Sequence, residues 1–466
     1  MGGTADSEAT RDRNREPHNM AWTRRNFLTS AATAAAAPFV VPASAWGQNQ
    51  PAPSERITVG IVAAGSRGFA LIGDFIKETD AQIVAVCDVD SLHYRDKPWG
   101  DGTAFGLEPA KASIERYYAA KRPYADSPQI DTYADYRDLC ARDDIDAIIV
   151  ATPDHWHALC TLEALRRGKD VYCEKPLTHF FHEGQIVYRE VARRNAVFQA
   201  GSQQRSDPRF RLAVELVRNG HIGKVQRVEV GLPPGYAKPM GDTTIEDPPE
   251  HVDYDFWCGP GEVLPYMRAR HHRWWRGHTA YGGGVLMDFI GHHNDIAHWG
   301  LGLDASGPTR VEAAEWVYPD TEIYNTPHKY AIHCEYEGGI SSIISSEYPD
   351  GAKWIGEDGW VFVTRGKIEA SDPRWLENDF DAGPVKAYVS PGHARNFLDC
   401  IKSREPCIAP AETAHRSVTP GYLAYVSHAV ARPLAWDPAA ERITDDDEAQ
   451  ALLDSTPYRN PWALEP

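Results

Sequence analysis

The chain has 466 residues, 42% of them hydrophobic and 24% charged, with 14 Trp, 21 Tyr and 14 Phe; that is ample material for packed cores and excludes a disordered chain. A net charge of −18, with no basic stripe, excludes a bulk nucleic-acid binder. Eight cysteines scattered singly, without a CxxC pair, exclude a cysteine-built zinc module or a disulfide scaffold.

Residues 1–45 read as an export signal. Polar residues 1–19 precede Met20, an alternative start, and Thr23-Arg24-Arg25-Asn26-Phe27-Leu28-Thr29 leads into a small, weakly apolar run from Ala31 to Val41. Ala43-Ser44-Ala45 supplies an A-x-A cleavage site. Paired arginines followed by Phe-Leu match the twin-arginine export pattern. The run is too short for an anchor, which needs about 20 apolar residues. The expectation is a periplasmic protein, exported already folded, with no membrane contact after cleavage and with thiols folded in a reducing compartment.

From residue 57 the pattern alternates strand and helix. Ile57-Thr58-Val59-Gly60-Ile61-Val62 reads as a buried strand. Ala63-Ala64-Gly65-Ser66-Arg67-Gly68 follows and opens a helical pattern through Ile72, Phe75 and Ile76. A second strand, Ile83-Val84-Ala85-Val86-Cys87, ends at Asp88. The turn keeps the last two glycines of G-x-G-x-x-G, with Ala63 in the first place. Gly65 would let the backbone approach a pyrophosphate, Gly68 would let helix pack on strand, and the N–H groups of the helix start would favour phosphate. Asp88, 20 residues past Gly68, should accept ribose hydroxyls and repel a 2′-phosphate, favouring NAD over NADP. Residues 91–128 form a long insertion with a helix around Ile114 and Tyr118. A helix around Tyr136 and Cys140 and the strand Ala147-Ile148-Ile149-Val150-Ala151 complete a βαβαβ pattern, hence a doubly wound parallel sheet. Thr152-Pro153-Asp154-His155-Trp156-His157 sits at the carboxyl end of that strand, where ligands collect.

A helix over 158–168 and the strand Asp170-Val171-Tyr172-Cys173 lead to Glu174-Lys175-Pro176. Farther on lies Gly282-Gly283-Gly284-Val285-Leu286-Met287-Asp288-Phe289-Ile290-Gly291-His292-His293-Asn294-Asp295. With Gly201-Ser202-Gln203-Gln204-Arg205, Asn219-Gly220-His221-Ile222-Gly223-Lys224 and the closing Pro457-Tyr458-Arg459-Asn460-Pro461-Trp462, these motifs resemble the Gfo/Idh/MocA family from about residue 55 to the end. The resemblance implies an α/β fold. An N-terminal Rossmann domain would cover 55–177. A C-terminal α/β domain with a large open, mostly antiparallel sheet would cover 178–466, its tail packing back. The resemblance also implies catalytic roles for Lys175, Asp288 and His292, with Asp295 matching a further acid of the family pattern. Ala63 and Ile290 stand where the family has glycines, and His293 beside His292 leaves a one-position ambiguity. Gly65, Ser66, Arg67, Gly68, Asp88, Thr152, His157, Glu174, Lys175 and Gln203 are the expected cofactor contacts.

A spacing of four places Asp288 and His292 on one helix face. An imidazole there would take the proton of a sugar hydroxyl while hydride leaves the same carbon for a nicotinamide. The Lys175 ammonium would stabilise the developing alkoxide. The basic, aromatic stretch 268–276 reads as a wall for a carbohydrate or carboxylate-bearing substrate, or equally as core tryptophans. From it come Arg270 and Trp275 as substrate contacts, joined by Tyr281 and His293. With neither H-x-x-x-H nor HExxH spacing, no metal is expected. The acidic run Asp445-Asp446-Asp447-Glu448 reads as a helix start on the surface. The expected function is an NAD(P)-dependent oxidoreductase acting on a sugar or polyol hydroxyl. NAD would be tightly held, since the periplasm should offer no free pool. The alternatives are a redox-neutral NAD-dependent glycosidase, working by transient C3 oxidation and elimination, and a non-catalytic sugar-binding protein. The resemblance further implies a homo-dimer or homo-tetramer, paired through the open sheet.

Overall fold

The computed structural model describes residues 55–95, 102–121 and 129–464. The export segment read in residues 1–45 lies outside the described residues. β1 (Ile57–Val62) and β2 (Ala81–Cys87) are apolar runs buried along most of their length, as strands covered by helices on both sides must be. Between them, α1 (Ser66–Phe75) turns Leu71, Ile72 and Phe75 into the core. A short antiparallel pair, β3 (His93–Tyr94) and β4 (Ala104–Phe105), and α2 (Leu107–Lys121) precede β5 (Asp131–Tyr133). β6 (Ala147–Val150), α3 (His157–Arg166), β7 (Asp170–Cys173) and β8 (Phe198–Ala200) complete an all-parallel sheet in the order β5-β2-β1-β6-β7-β8. This is the doubly wound sheet expected from the sequence. Its sixth strand comes from beyond residue 177, so the first layer runs past the boundary read there. The strand order reverses between β1 and β6, and a crevice opens at their carboxyl ends.

The second sheet is built from β9 (Val225–Gly231), β10 (Arg310–Val317), β11 (Lys329–Tyr336), β12 (Ile340–Ser345), β13 (Gly351–Gly356), β14 (Trp360–Thr364), β15 (Lys367–Ala370), β16 (Leu434–Asp437) and β17 (Arg442–Ile443). Their order is β15-β14-β13-β9-β12-β11-β10-β16-β17. Pairings are antiparallel except β12 with β9. β11 alternates buried and more exposed residues, so one face of the sheet is wet. The other face is covered by α4 (Gly284–Leu301) and α5 (Ala411–Val430), which also pack on each other. Trp354 of β13 is fully buried so close to α4 that a Cβ on Gly300 would stand 2.6 Å from its ring.

The C-terminal segment packs back over the first domain. Tyr458 donates to Glu183, Arg166 donates to the Leu464 carbonyl at 2.7 Å, and the Trp462 ring meets Trp156 edge-on at 4.9 Å.

α4 is fastened by a buried ion pair. Arg205 and Asp295 are 3% and 1% exposed and share two bonds of 2.7 and 2.9 Å. The guanidinium sits 5.1 Å from the Trp299 ring centroid and reaches Asp304 at 2.7 Å. Asp295, which the family pattern sets beside the catalytic pair, is therefore a strut in this chain. Arg205→Ala strands that carboxylate and should lower unfolding free energy by about 3–5 kcal/mol. Removing the more exposed Asp304 should cost less than about 1 kcal/mol; denaturant unfolding of the two variants checks the contrast.

Candidate active site

The carboxyl ends of β1, β2, β6 and β7 open into a cleft of about 610 Å³, closed on its other side by α4 and residues 272–276. Ala63 holds a φ of 74°, the left-handed conformation a glycine would adopt freely, at a cost of about 1–2 kcal/mol. The turn thus keeps its shape despite the missing first glycine. Gly68 has no alternative, because a Cβ there would lie 2.1 Å from the Ala63 carbonyl oxygen. At Gly65 a Cβ would meet nothing within 4 Å, and no side chain caps the helix start that Gly65 precedes. Bare backbone and uncapped N–H groups facing open space form a cradle suited to pyrophosphate.

Ser66, Arg67, Asp88, Thr152, Glu174 and Gln203 all line the cleft. Asp88 accepts from the Ala64 N–H at 2.7 Å and the Asp90 N–H at 2.9 Å. Burial raises its pKa to about 6 against those backbone donors. The Thr152 hydroxyl is buried without a hydrogen-bond partner. Arg67 donates to Glu174 at 2.7 Å, and Gln203 donates to Glu174 and to the Tyr172 hydroxyl at 3.1 and 2.6 Å. Burial favours the neutral form of Glu174, but Arg67 and Lys175 outweigh it and hold the carboxyl below its ordinary value. His157 also borders the cleft, yet its nitrogens lie 2.6 Å from the Pro176 carbonyl and 3.0 Å from that of Thr152. A neutral imidazole donates to only one of them, and burial takes its pKa to about 4. Its ring braces the Lys175-Pro176 corner.

Across the cleft, Lys175 donates to the Asp288 carboxylate, and to its backbone carbonyl at 3.1 Å. Arg276 stands 3.3 Å from the same carboxylate and 4.1 Å over the Trp275 ring. Burial would raise the Asp288 pKa, but Arg276 and Lys175 prevail and lower it to about 2. One turn on, His292 lines the cleft with Nδ1 unpartnered. Burial, with Lys175 and Arg365 nearby, holds its imidazole well below the ordinary value, so the ring is neutral at physiological pH. Behind this group lies Asp154, fully buried. Its pKa is raised to about 7, by burial first, with Asp288 adding and Arg276 opposing.

Trp275 reaches the cleft wall, but three other expected substrate contacts do not. Tyr281 is fully buried, donates to the Glu262 carbonyl at 2.9 Å, and packs between Trp257 and His155. Arg270 is 7% exposed, and the first of two 3-10 turns directs it inward. His293 is 2% exposed, because one helical step turns it away from the face that His292 shares with Asp288. Arg276, on the cleft wall, lies in the stretch 268–276 read as a substrate wall but is not singled out by it, and Arg365, also on that wall, has no sequence signal. Arg276 had a local signal in its neighbour Trp275. Arg365 sits at the β14–β15 turn, far away in sequence.

The model described as the oxidoreductase family's NAD-binding Rossmann fold matches residues 57–202, and that of its C-terminal alpha/beta domain matches 213–464. The chain belongs to the Gfo/Idh/MocA family. "Uncharacterized oxidoreductase YrbE" of Bacillus subtilis is 24% identical to this Gfo/Idh/MocA chain over 323 residues, 69% of this chain and 75% of that protein. "Glycosyl hydrolase family 109 protein 2" of Shewanella sp. strain ANA-3 is 29% identical over 220 residues, 43% of this chain and 44% of that one, so the match spans less than half of that relative. The WlbA dehydrogenase of Bordetella pertussis, solved with NADH and UDP-GlcNAcA, superposes with a TM-score of 0.56 at 18% identity, over 82% of this chain and 99% of that one. That is a likeness of fold.

Folding raises the Asp154 pKa, so the folded protein holds this proton more tightly than the unfolded chain does. Below the ordinary carboxylate value of about 4 both states are protonated and nothing is lost. Stability is then lost as pH rises from there to about 7. Asp154→Asn removes the group, so melting temperatures of variant and wild type should diverge in the variant's favour across that window. Parallel curves would contradict the assignment.

Proposed function

We propose that this protein oxidises a hydroxyl-bearing carbon of a sugar or polyol with a nicotinamide dinucleotide held in the cleft, NAD rather than NADP. The observation that carries this is the position of Lys175, tied to Asp288 on the same cleft as the Gly65 cradle and His292. The cofactor supplies the acceptor for the hydride that leaves the carbinol carbon. The backbone of Gly65, Ser66 and Gly68 holds the pyrophosphate, with Thr152 as a further donor. Asp88 accepts from the ribose, where a 2′-phosphate would meet its carboxylate. Lys175 donates to the substrate oxygen and stabilises the alkoxide as it forms. His292, neutral, takes the hydroxyl proton on its ring. Arg276, stacked on the buried Trp275 ring, presents its guanidinium to the sugar hydroxyls.

The twin-arginine segment supports a periplasmic setting in which the folded protein carries its cofactor through turnover. Oxidation of one sugar would then alternate with reduction of a second carbonyl compound. The open face of the second sheet supports a homo-dimer or homo-tetramer. A second reading draws on the likeness to a glycosyl hydrolase family 109 protein. There oxidation at C3 acidifies the C2–H, the glycoside is eliminated, and the cofactor returns to its starting state.

A sugar panel read by the absorbance of the bound cofactor tests both readings. Lys175→Ala should lower turnover about 10²–10³-fold, and His292→Asn about 10²–10⁴-fold, each with the cofactor still bound. Full turnover in Lys175→Ala contradicts the assignment. Aglycone release from chromogenic glycosides without added oxidant selects the glycosidase.

A further inference from the structure

We propose that Asp90, His93 and His272 form a binding site for one divalent transition-metal ion at the rim of the cleft. Each offers one ligand atom, and the three atoms lie within 4.8 Å of one another. Asp90 follows β2, His93 begins β3, and His272 comes from the second domain. Sequence spacing, which predicted no metal, could not reveal a set drawn from segments so far apart.

The three groups are out of water. Asp90 is 1% and His93 4% exposed, and the His272 side chain is 9% exposed. The Asp90 Oδ2 lies 2.9 Å from His272 Nε2 and 3.6 Å from His93 Nδ1, yet neither Oδ2 nor His93 Nδ1 makes a hydrogen bond. Polar atoms brought this close without sharing a proton are costly when buried. A cation would satisfy all three once the two rings turn their nitrogens toward it. The two imidazoles stack at 3.7 Å with 11° between their planes, and His251 Nε2 lies 3.8 Å from the other oxygen of Asp90. His272 also keeps a φ of 48°, a left-handed backbone that persists only where its surroundings impose it.

Two imidazoles and a carboxylate are the donor set of zinc and of iron(II), each of which keeps further positions open. His93 and His272 both line the cleft, so an open position would face it. The site also spans the domain boundary. Asp90 bridges Val252, and Ser91 donates to the His251 carbonyl at 3.3 Å. A bound ion would clamp the loop whose Asp90 N–H braces Asp88. The redox reading needs no step at this ion, so either can fail without the other.

The test is elemental analysis of the whole protein purified without chelator, followed by Co²⁺ titration of chelator-treated protein. One metal per chain and a visible Co²⁺ ligand-field band are expected, with the element distinguishing zinc from iron. His93→Ala and His272→Ala should each lose band and metal while circular dichroism stays unchanged. Asp90→Asn, a nearly isosteric change that guards against misfolding of the alanine variants, should weaken Co²⁺ binding about tenfold or more. Wild-type protein with neither metal nor Co²⁺ band, or a double histidine variant with undiminished metal, overturns the proposal.

Discussion

The ion pair between Lys175 and Asp288 is the constraint on which the rest depends. One partner stands at the end of β7 and the other in the first turns of α4, so the contact exists only when the two domains are docked. Both side chains are largely withdrawn from solvent, 13% and 17% exposed. In such surroundings an unmatched charge costs several kcal/mol. Arg276 reinforces the pair from the wall of the second domain. The glycine cradle would hold a nucleotide without it, but among the described residues nothing else sets an ammonium against the far wall of the cleft.

Electrostatics divides the site in two. Asp288 lies between two cations and stays ionised, while Asp154, behind it, is driven toward its neutral form. Neighbouring acids pushed apart in this way are typical of sites that handle protons. Lys175, Arg276, Arg67 and Arg365 all border the cleft of a chain whose net charge is −18. The local field opposes the global one and favours an anionic dinucleotide and a developing alkoxide.

Much of this was legible in the sequence, for physical reasons. Doubly covered strands such as Ile57–Val62 are continuous apolar runs, and the turn after them needs small residues wherever backbone meets backbone. Ala63 shows the limit of such patterns, since an alanine tolerates the required conformation at modest cost. The three-residue strand Phe198–Ala200 is too short to show a period, so the sequence does not reveal the sixth strand of the first sheet. Tyr281 and Trp275 look alike in sequence and pack into one buried cluster, and only the fold shows that Trp275 also borders the cleft. Arg365, and the trio Asp90, His93 and His272, are brought to the site by tertiary folding alone.

The central claim is that a carbinol carbon meets a bound nicotinamide beside Lys175. The most direct measurement incubates the purified protein with sugars deuterated at individual ring carbons and follows the label by mass spectrometry of the extracted cofactor. Deuterium appearing in the nicotinamide, from one ring position only and lost in Lys175→Ala, is the predicted result. Binding of cofactor and sugar with the label remaining on the sugar would contradict it.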